Sequence, residues 1–190
     1  NRRTAAENAV KSADTRTKTI TTDLDGDGDV DATRVEQTII NPDGSREETV
    51  TATNLDGSIN SMVKETLGAD KISGQTWVDL KENGTFEATE LVRDVSVDGV
   101  TGDVTATDYV RNDDGSLRSQ ITSVTSADGL TSTHSIDADG DGDIDTQITE
   151  TTSVNGSGEA VTVAETRNQD GTLRSASTST TSADGLTTTV

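Results

Sequence analysis

The chain lacks several features that a compact soluble enzyme normally has. Its 190 residues include no cysteine, one proline and a single residue each of tryptophan, tyrosine and phenylalanine. The lack of cysteine excludes a disulfide framework and thiolate metal sites. Hydrophobic residues make up only 28% of the chain, and each ordered residue costs about 1.5 kcal/mol of conformational entropy that burial must offset. We therefore expect a thin, repetitive or metal-assisted structure instead of one thick core.

Long apolar runs are also missing. No stretch approaches the roughly 20 residues that cross a bilayer, and no signal peptide is visible at the start, which is Asn1 and not a methionine. This start predicts a processed product or an excised segment. The formal net charge is -20, which predicts repulsion from nucleic acid and from anionic membranes. We expect no nucleic-acid partner and no membrane insertion, and the natural counterpart of such a chain is a cation.

Low hydrophobicity and high charge are typical of disordered chains as well. However, the sequence has a single proline, Pro42, and its threonine and valine residues alternate in stretches such as "TVTATN" and "AVTVAET". An alternation with period two predicts β-strands. No helical periodicity competes with it, so the sequence predicts an all-β fold.

A repeat of about 56 residues organises the whole chain. The segments "NDDGSLRS" at 112 and "NQDGTLRS" at 168 are 56 residues apart, and so are the two copies of "TSADGL" at 125 and 181. A fixed period of this size indicates a repeat architecture. The predicted divisions are the last strand of a preceding repeat at 1–13, repeat 1 at 14–69, repeat 2 at 70–127, repeat 3 at 128–183, and the start of a further repeat at 184–190.

Within each repeat, Asp-Gly and Asn-Gly pairs recur about every 14 residues. These pairs are strong hairpin signals because both residues tolerate a positive φ. Each repeat therefore predicts four antiparallel strands of roughly 8 to 10 residues, which together form a hairpin meander in an elongated array or filament. We expect the array to continue into further repeats or to self-associate by strand pairing, because an open sheet edge needs a partner.

Two stretches concentrate acidic charge, "DLDGDGDVD" at 23–31 (the first acidic turn) and "DADGDGDID" at 137–145 (the last acidic turn). Both follow the pattern D-x-D-x-D-G-x-x-D. Calcium takes six to eight oxygen ligands, and this spacing lets carboxylates one, three, five and nine converge while the carbonyl of position seven adds another oxygen. The predicted Ca²⁺ ligands are Asp23, Asp25, Asp27, Asp29, Asp31, Asp137, Asp139, Asp141, Asp143 and Asp145.

An EF-hand is excluded because position twelve is Arg34 in one stretch and Ile148 in the other, where an EF-hand needs a glutamate. The acidic turns resemble the hairpin calcium loops of FG-GAP repeats and, more loosely, those of thrombospondin type 3 repeats. Water or a neighbouring carboxylate, such as Glu36 or Glu150, would complete the coordination. The alternative is that both stretches are solvated acidic turns, as most charge runs are.

The equivalent stretch of repeat 2, residues 78–87, departs from the pattern within residues 79–87 (the middle turn). Asp79, Asn83, Gly84 and Glu87 hold ligand-like positions, but Lys81 replaces the aspartate at position three. An ammonium group at this position predicts that the middle turn excludes calcium and that a built-in cation and local packing stabilise it. Simple drift in a redundant repeat is the other explanation. The aromatic residues of the chain all fall in this repeat: Trp77, Phe86 and Tyr109.

Catalysis has little support in the sequence. His134 is the only histidine, and it falls in a predicted strand. No Ser/His/Asp or Ser/Lys constellation stands out, and the carboxylates are turn residues without the apolar pocket that raises an acid's pKa. We therefore expect no catalytic residues and no enzyme activity.

The set "TSADGLT", "DADGDGDID", "NPDGS" and "NDDGSLRS" resembles the tandem calcium-binding repeats of very large secreted bacterial proteins that accompany RTX segments. The resemblance implies an extracellular, secreted or cell-surface location and a structural role in an adhesin, a biofilm matrix or a filament shaft, with a cell-surface or matrix partner. The alternative function is an FG-GAP-like β-propeller module that binds a ligand.

Overall fold

The computed structural model describes residues 13–190 and confirms the predicted all-β fold, a meander of antiparallel hairpins. A three-residue 3₁₀ helix, Ala88–Glu90, precedes the sixth strand. The described residues form thirteen strands: β1 (Asp14–Thr22), β2 (Ala32–Ile40), β3 (Arg46–Asn54), β4 (Ile59–Leu67), β5 (Gly74–Val78), β6 (Leu91–Val97), β7 (Val104–Arg111), β8 (Leu117–Thr125), β9 (Thr131–Asp137), β10 (Thr146–Val154), β11 (Ala160–Asn168), β12 (Leu173–Thr181) and β13 (Thr188–Thr189).

The chain divides into two compact units, residues 1–87 and 88–190. The first holds β1 to β5 and the second holds β6 to β13, and within each unit every strand pairs antiparallel with the next strand along the chain. Hairpins connect consecutive strands directly because the turns are short, apart from the longer connection of residues 79–90. The division between the units falls inside the predicted repeat 2.

Each predicted repeat contains four strands: β1 to β4 in residues 14–69, β5 to β8 in 70–127, and β9 to β12 in 128–183. Strand β13 falls in the segment 184–190, and the strand predicted for 1–13 lies outside the described residues except for residue 13. Most strands have eight or nine residues as predicted, but β5 has five, β6 and β9 have seven, and β13 has two. Strand β5 is short because the chain leaves the sheet after Val78 to form the middle turn.

A break in strand register recurs in every repeat. The register shifts between Ala52 and Thr53 in β3, between Val110 and Arg111 in β7, and between Thr166 and Arg167 in β11. Each shift lies next to an Asn-x-Asp-Gly hairpin turn, where a left-handed residue typically produces a bulge. In the turn after β7, the amide of Gly115, at φ +83°, donates to the carbonyl of Asn112 over 2.8 Å. The repeat is therefore a repeat of backbone geometry and not of sequence alone.

Few residues in the described part of the chain are fully buried. Among the described residues, Met62 is the one buried apolar side chain, at 8% exposure, and most strand side chains are half-buried. Side chains stack in rows across the strands instead, as in the row that the register aligns from Val50 through Val63 to Val78. Such cross-strand pairs contribute about 0.2–1 kcal/mol each. The sheet is therefore held by many small contacts, and its stability is sensitive to repulsion at the turns.

Candidate metal centres

The first acidic turn connects β1 to β2 and is closed at its base by a hydrogen bond from the amide of Asp31 to the carbonyl of Thr22, 2.9 Å long. Inside the turn, the carboxylate of Asp23 accepts hydrogen bonds from the amides of Gly26 and Gly28, at 2.7 and 3.0 Å. Gly28 has φ +97°, a left-handed conformation that glycine adopts without strain. This geometry explains why the sixth position of the pattern is glycine.

The last acidic turn connects β9 to β10 with the same arrangement. The carboxylate of Asp137 accepts from the amides of Gly140 and Gly142 at 2.6 and 3.0 Å, and Gly142 has φ +96°. The aspartate at position nine also has the same role in both turns. Asp145 accepts from the amide of Ala138, and Asp31 accepts from the amide of Leu24, each at 2.7 Å. Two similar sequences 114 residues apart therefore build one hydrogen-bonded scaffold twice.

Each acidic turn brings three carboxylates together. Within each group, one oxygen per residue lies within 4.8 Å of the others. Two oxygens bound to the same calcium ion are separated by at most about 5 Å, twice the Ca–O distance of ~2.3–2.6 Å. The spacing therefore fits a shared cation, and exposed acidic groups also reach such distances without one. The groups are Asp23, Asp25 and Asp27 in the first turn, and Asp137, Asp139 and Asp145 in the last.

Four of the ten predicted ligands stand outside these groups within residues 13–190. Asp31 is held by the amide of Leu24, while the amides of Asp29 and Asp143 donate to the carboxylates of Asp27 and Asp141, at 2.8 and 2.9 Å. Asp29 and Asp143 are the residues at position seven, where the sequence pattern predicts that the backbone carbonyl binds the ion and the side chain does not. Asp141, whose carboxylate accepts from the amide of Asp143, is the fourth predicted ligand outside the groups.

The aspartate at position one of the last acidic turn is buried. Asp137 is only 3% exposed, because the turn lies against the start of β8: a Cβ added to Gly140 would stand 2.5 Å from the carbonyl oxygen of Leu117. Asp23, its counterpart in the first turn, is exposed among the described residues. A carboxylate removed from water favours a neighbouring cation or strong hydrogen-bond donors. The sequence pattern alone did not predict this burial.

The carboxylates suggested for completing the coordination lie on strands. Glu36, in β2, forms ion pairs with Arg34 at 3.1 Å and with Lys18 at 3.4 Å, and Glu150 lies in β10. Neither belongs to the carboxylate groups described above. Position twelve also lies on a strand in both cases, in β2 and β10, which agrees with the exclusion of an EF-hand.

Aspartates in the other turns accept hydrogen bonds from groups of the same turn. In the Asn-Asp-Asp-Gly-Ser turn, the carboxylate of Asp114 accepts from the hydroxyl and the amide of Ser116, at 2.6 and 2.9 Å. These hydrogen bonds lower the pKa of Asp114. Hydrogen bonds inside the turn also lower the pKa of seven other aspartates: Asp43, Asp56, Asp70, Asp98, Asp128, Asp170 and Asp184. These aspartates stabilise single hairpin turns and do not belong to the carboxylate groups of the acidic turns.

His134 lies in β9, half-buried, with its Nδ1 atom 2.8 Å from the hydroxyl oxygen of Ser123. The strand register explains this contact, since Ser123 and His134 are direct cross-strand partners of β8 and β9. The partner of His134 on the other side is Ile148 of β10. The pair is therefore part of the row packing on one face of the sheet.

Comparisons with protein-family models, with curated proteins and with solved structures find no match for this chain. In residues 13–190, no helix has the length and apolar character needed to span a membrane. Function has to be argued from the turns and the sheet.

Proposed function

We propose that the chain is part of an extracellular structural protein, the calcium-stiffened stalk or filament shaft of a bacterial surface, adhesin or biofilm-matrix assembly. The observation that carries the proposal is the duplicated scaffold of the acidic turns. In both, the first aspartate accepts from the amides of positions four and six, and three carboxylate oxygens share a space that suits one calcium ion.

The way in which repeats join supports a structural role. Strand β4 of repeat 1 pairs with β5 of repeat 2, and β8 of repeat 2 pairs with β9 of repeat 3. Each repeat therefore adds strands to its neighbour's sheet, whereas each blade of a propeller is a separate four-stranded sheet. Further repeats, from the same chain or from a second copy, would extend the sheet by the same pairing. The FG-GAP-like propeller is accordingly the less favoured function.

Calcium would act on the charge of the turns. Carboxylates this close repel one another, and a sheet with so little buried apolar surface has little reserve to offset the repulsion. Aspartates of the first and last acidic turns would hold the ion, which would cancel this charge and brace the two strands of each hairpin. Loops of this type in extracellular modules bind calcium with dissociation constants of about 10⁻⁴–10⁻³ M, so they fill outside a cell and stay largely empty in the cytosol. Folding would then be completed after export.

Equilibrium dialysis of the full chain against calcium tests the proposal. We expect about two bound ions per chain, with dissociation constants of about 10⁻⁴–10⁻³ M. Asp25→Ala removes one ion and Asp139→Ala removes the other, because each deletes the third-position ligand of its turn. The matched control is Asp113→Ala in the turn after β7, where the amide and hydroxyl of Ser116 donate to Asp114 and not to Asp113.

Absence of calcium uptake, or unchanged uptake in the variant that lacks both aspartates, would overturn the metal assignment. Dissociation constants near 10⁻⁷–10⁻⁶ M, in the range of intracellular sensors, would keep the sites but contradict the extracellular setting.

A further inference from the structure

The middle turn shares part of the hydrogen-bonded scaffold of the acidic turns. The carboxylate of Asp79, which is 3% exposed, accepts hydrogen bonds from the amides of Asn83 and Gly84 at 3.2 and 2.7 Å. The side-chain oxygen of Asn83 accepts from the amide of Thr85 at 2.9 Å. Asp141 in the last acidic turn accepts from the amide of Asp143 in the same way. The middle turn has therefore kept the amide donors of positions six and seven, while position five replaces position four as the other donor to the first aspartate.

The cationic side chain of the middle turn occupies a defined place in that scaffold. Lys81 stands at position three, where the acidic turns have Asp25 and Asp139, and its Nζ atom contacts the Oε2 atom of Glu87. Glu87 holds position nine. The ammonium group thus pairs with the carboxylate at position nine, whereas the acidic turns have an aspartate at position three and would need a metal ion to reduce the repulsion.

Aromatic packing attaches the same turn to the sheet. The Nζ atom of Lys64 in β4 lies 4.2 Å from the ring centroid of Trp77 and 5.2 Å from that of Phe86. Trp77 is the cross-strand partner of Lys64, whereas Phe86 comes from the middle turn itself. Gly84 lies against Ile59, since an added Cβ would be 2.8 Å from the Cδ1 atom of that side chain. The order of the turn and the environment of Trp77 are therefore linked through Phe86 and Lys64.

We propose that Lys81 is a tethered cation that takes the place of the metal, so that the middle turn stays folded without calcium. Withdrawal of calcium then loosens the first and last acidic turns, while the middle turn remains a fixed point in the chain. The residue at position three decides which turns respond to calcium. That the first and last acidic turns respond to calcium rests on the proposed function. That the middle turn folds without a metal ion does not.

Trp77 is the only tryptophan, so its fluorescence reports on the middle turn. The measurement is the quenching of this fluorescence by acrylamide, compared between chelator and about 5 mM calcium. For the unmodified chain we expect the same quenching constant in both conditions. Lys81→Met, which keeps an unbranched side chain but removes the ammonium group, raises the quenching constant about twofold in chelator because the turn opens locally. Lys81→Asp also raises the quenching constant of Trp77 in chelator, and calcium lowers it again. Equilibrium dialysis of this variant should then show one more bound calcium ion than the unmodified chain.

The matched control is Lys18→Met, which removes another lysine from an ion pair, that with Glu36, and leaves Trp77 quenching unchanged. Far-UV circular dichroism checks that each variant retains its strands. Equal quenching of Lys81→Met and the unmodified chain in chelator would overturn the proposal, and so would a fall in the quenching of the unmodified chain when calcium is added. If the unmodified chain binds no calcium at all, the proposed function fails, while the Lys81→Met comparison still decides this inference.

Discussion

At the scale of single residues, the aspartates of the hairpin turns accept hydrogen bonds from the hydroxyl and amide groups of their own turn. Asp114 accepts a hydroxyl and an amide from Ser116, and these donors favour the ionised form, which is why its pKa is lowered from the ordinary value of 3.8. A carboxylate whose pKa is lowered on folding contributes stability above its unfolded pKa. That contribution is lost as the pH falls through the folded pKa. The hairpin turns are therefore acid-sensitive elements.

Replacing Ser116 by alanine tests this account of the turn aspartates. The hydroxyl of Ser116 is the largest cause of the lowered pKa of Asp114, so we expect Ser116→Ala to move that pKa up toward its ordinary value. Carboxyl-carbon NMR titration measures the shift, with Ser153→Ala in β10 as the control. An unchanged midpoint for Asp114 in Ser116→Ala would show that the hydroxyl does not stabilise the ionised carboxylate.

At the scale of elements, the last acidic turn is shaped by two left-handed glycines in different surroundings. Gly140 has φ +78° and lies against the backbone of β8, while Gly142 has φ +96° and no described atom within 4 Å of an added Cβ. Any side chain at either position adopts a strained conformation. Only at Gly140 does the side chain also overlap the neighbouring strand.

The two glycines provide an internally controlled prediction. We expect Gly142→Ala to cost about 1–2 kcal/mol of unfolding free energy from backbone strain alone. Gly140→Ala should cost about 2–4 kcal/mol, because the overlap with the Leu117 carbonyl adds to the strain. Urea unfolding in chelator measures both without a contribution from metal. Equal losses would contradict the packing of this turn on β8.

Particular residues show how far the sequence could predict these elements. Asp-Gly and Asn-Gly pairs predict the hairpins because glycine marks the left-handed positions, and the fold class follows from them. The middle turn is harder to predict because Glu82, at φ +51°, is left-handed without being glycine, as is Lys71 at φ +63° in the preceding turn. The stacking of Lys64 on Trp77 and Phe86 and the burial of Asp137 were missed, since both depend on neighbouring strands and not on local pattern.

At the scale of the whole molecule, a large negative charge is set against strands that bury little apolar surface. The chain carries a net charge of -20, much of it in the acidic turns, and Met62 is the single buried apolar side chain among residues 13–190. Rows of cross-strand contacts favour the folded sheet, and carboxylate repulsion at the turns opposes it. A cation that binds only the folded turns shifts this balance in proportion to its concentration.

Thermal unfolding of the full chain, followed by far-UV circular dichroism during a calcium titration from chelator, tests this claim most directly. Calcium at about ten times its dissociation constant stabilises each site by about 1.4 kcal/mol. Two sites should therefore raise the midpoint of unfolding by roughly 5–10 °C in a chain of this size. The combined Asp25→Ala and Asp139→Ala variant should show no rise. If the unmodified chain has the same β-structure and melts at the same temperature with and without calcium, the acidic turns are solvated loops and calcium does not hold this sheet together.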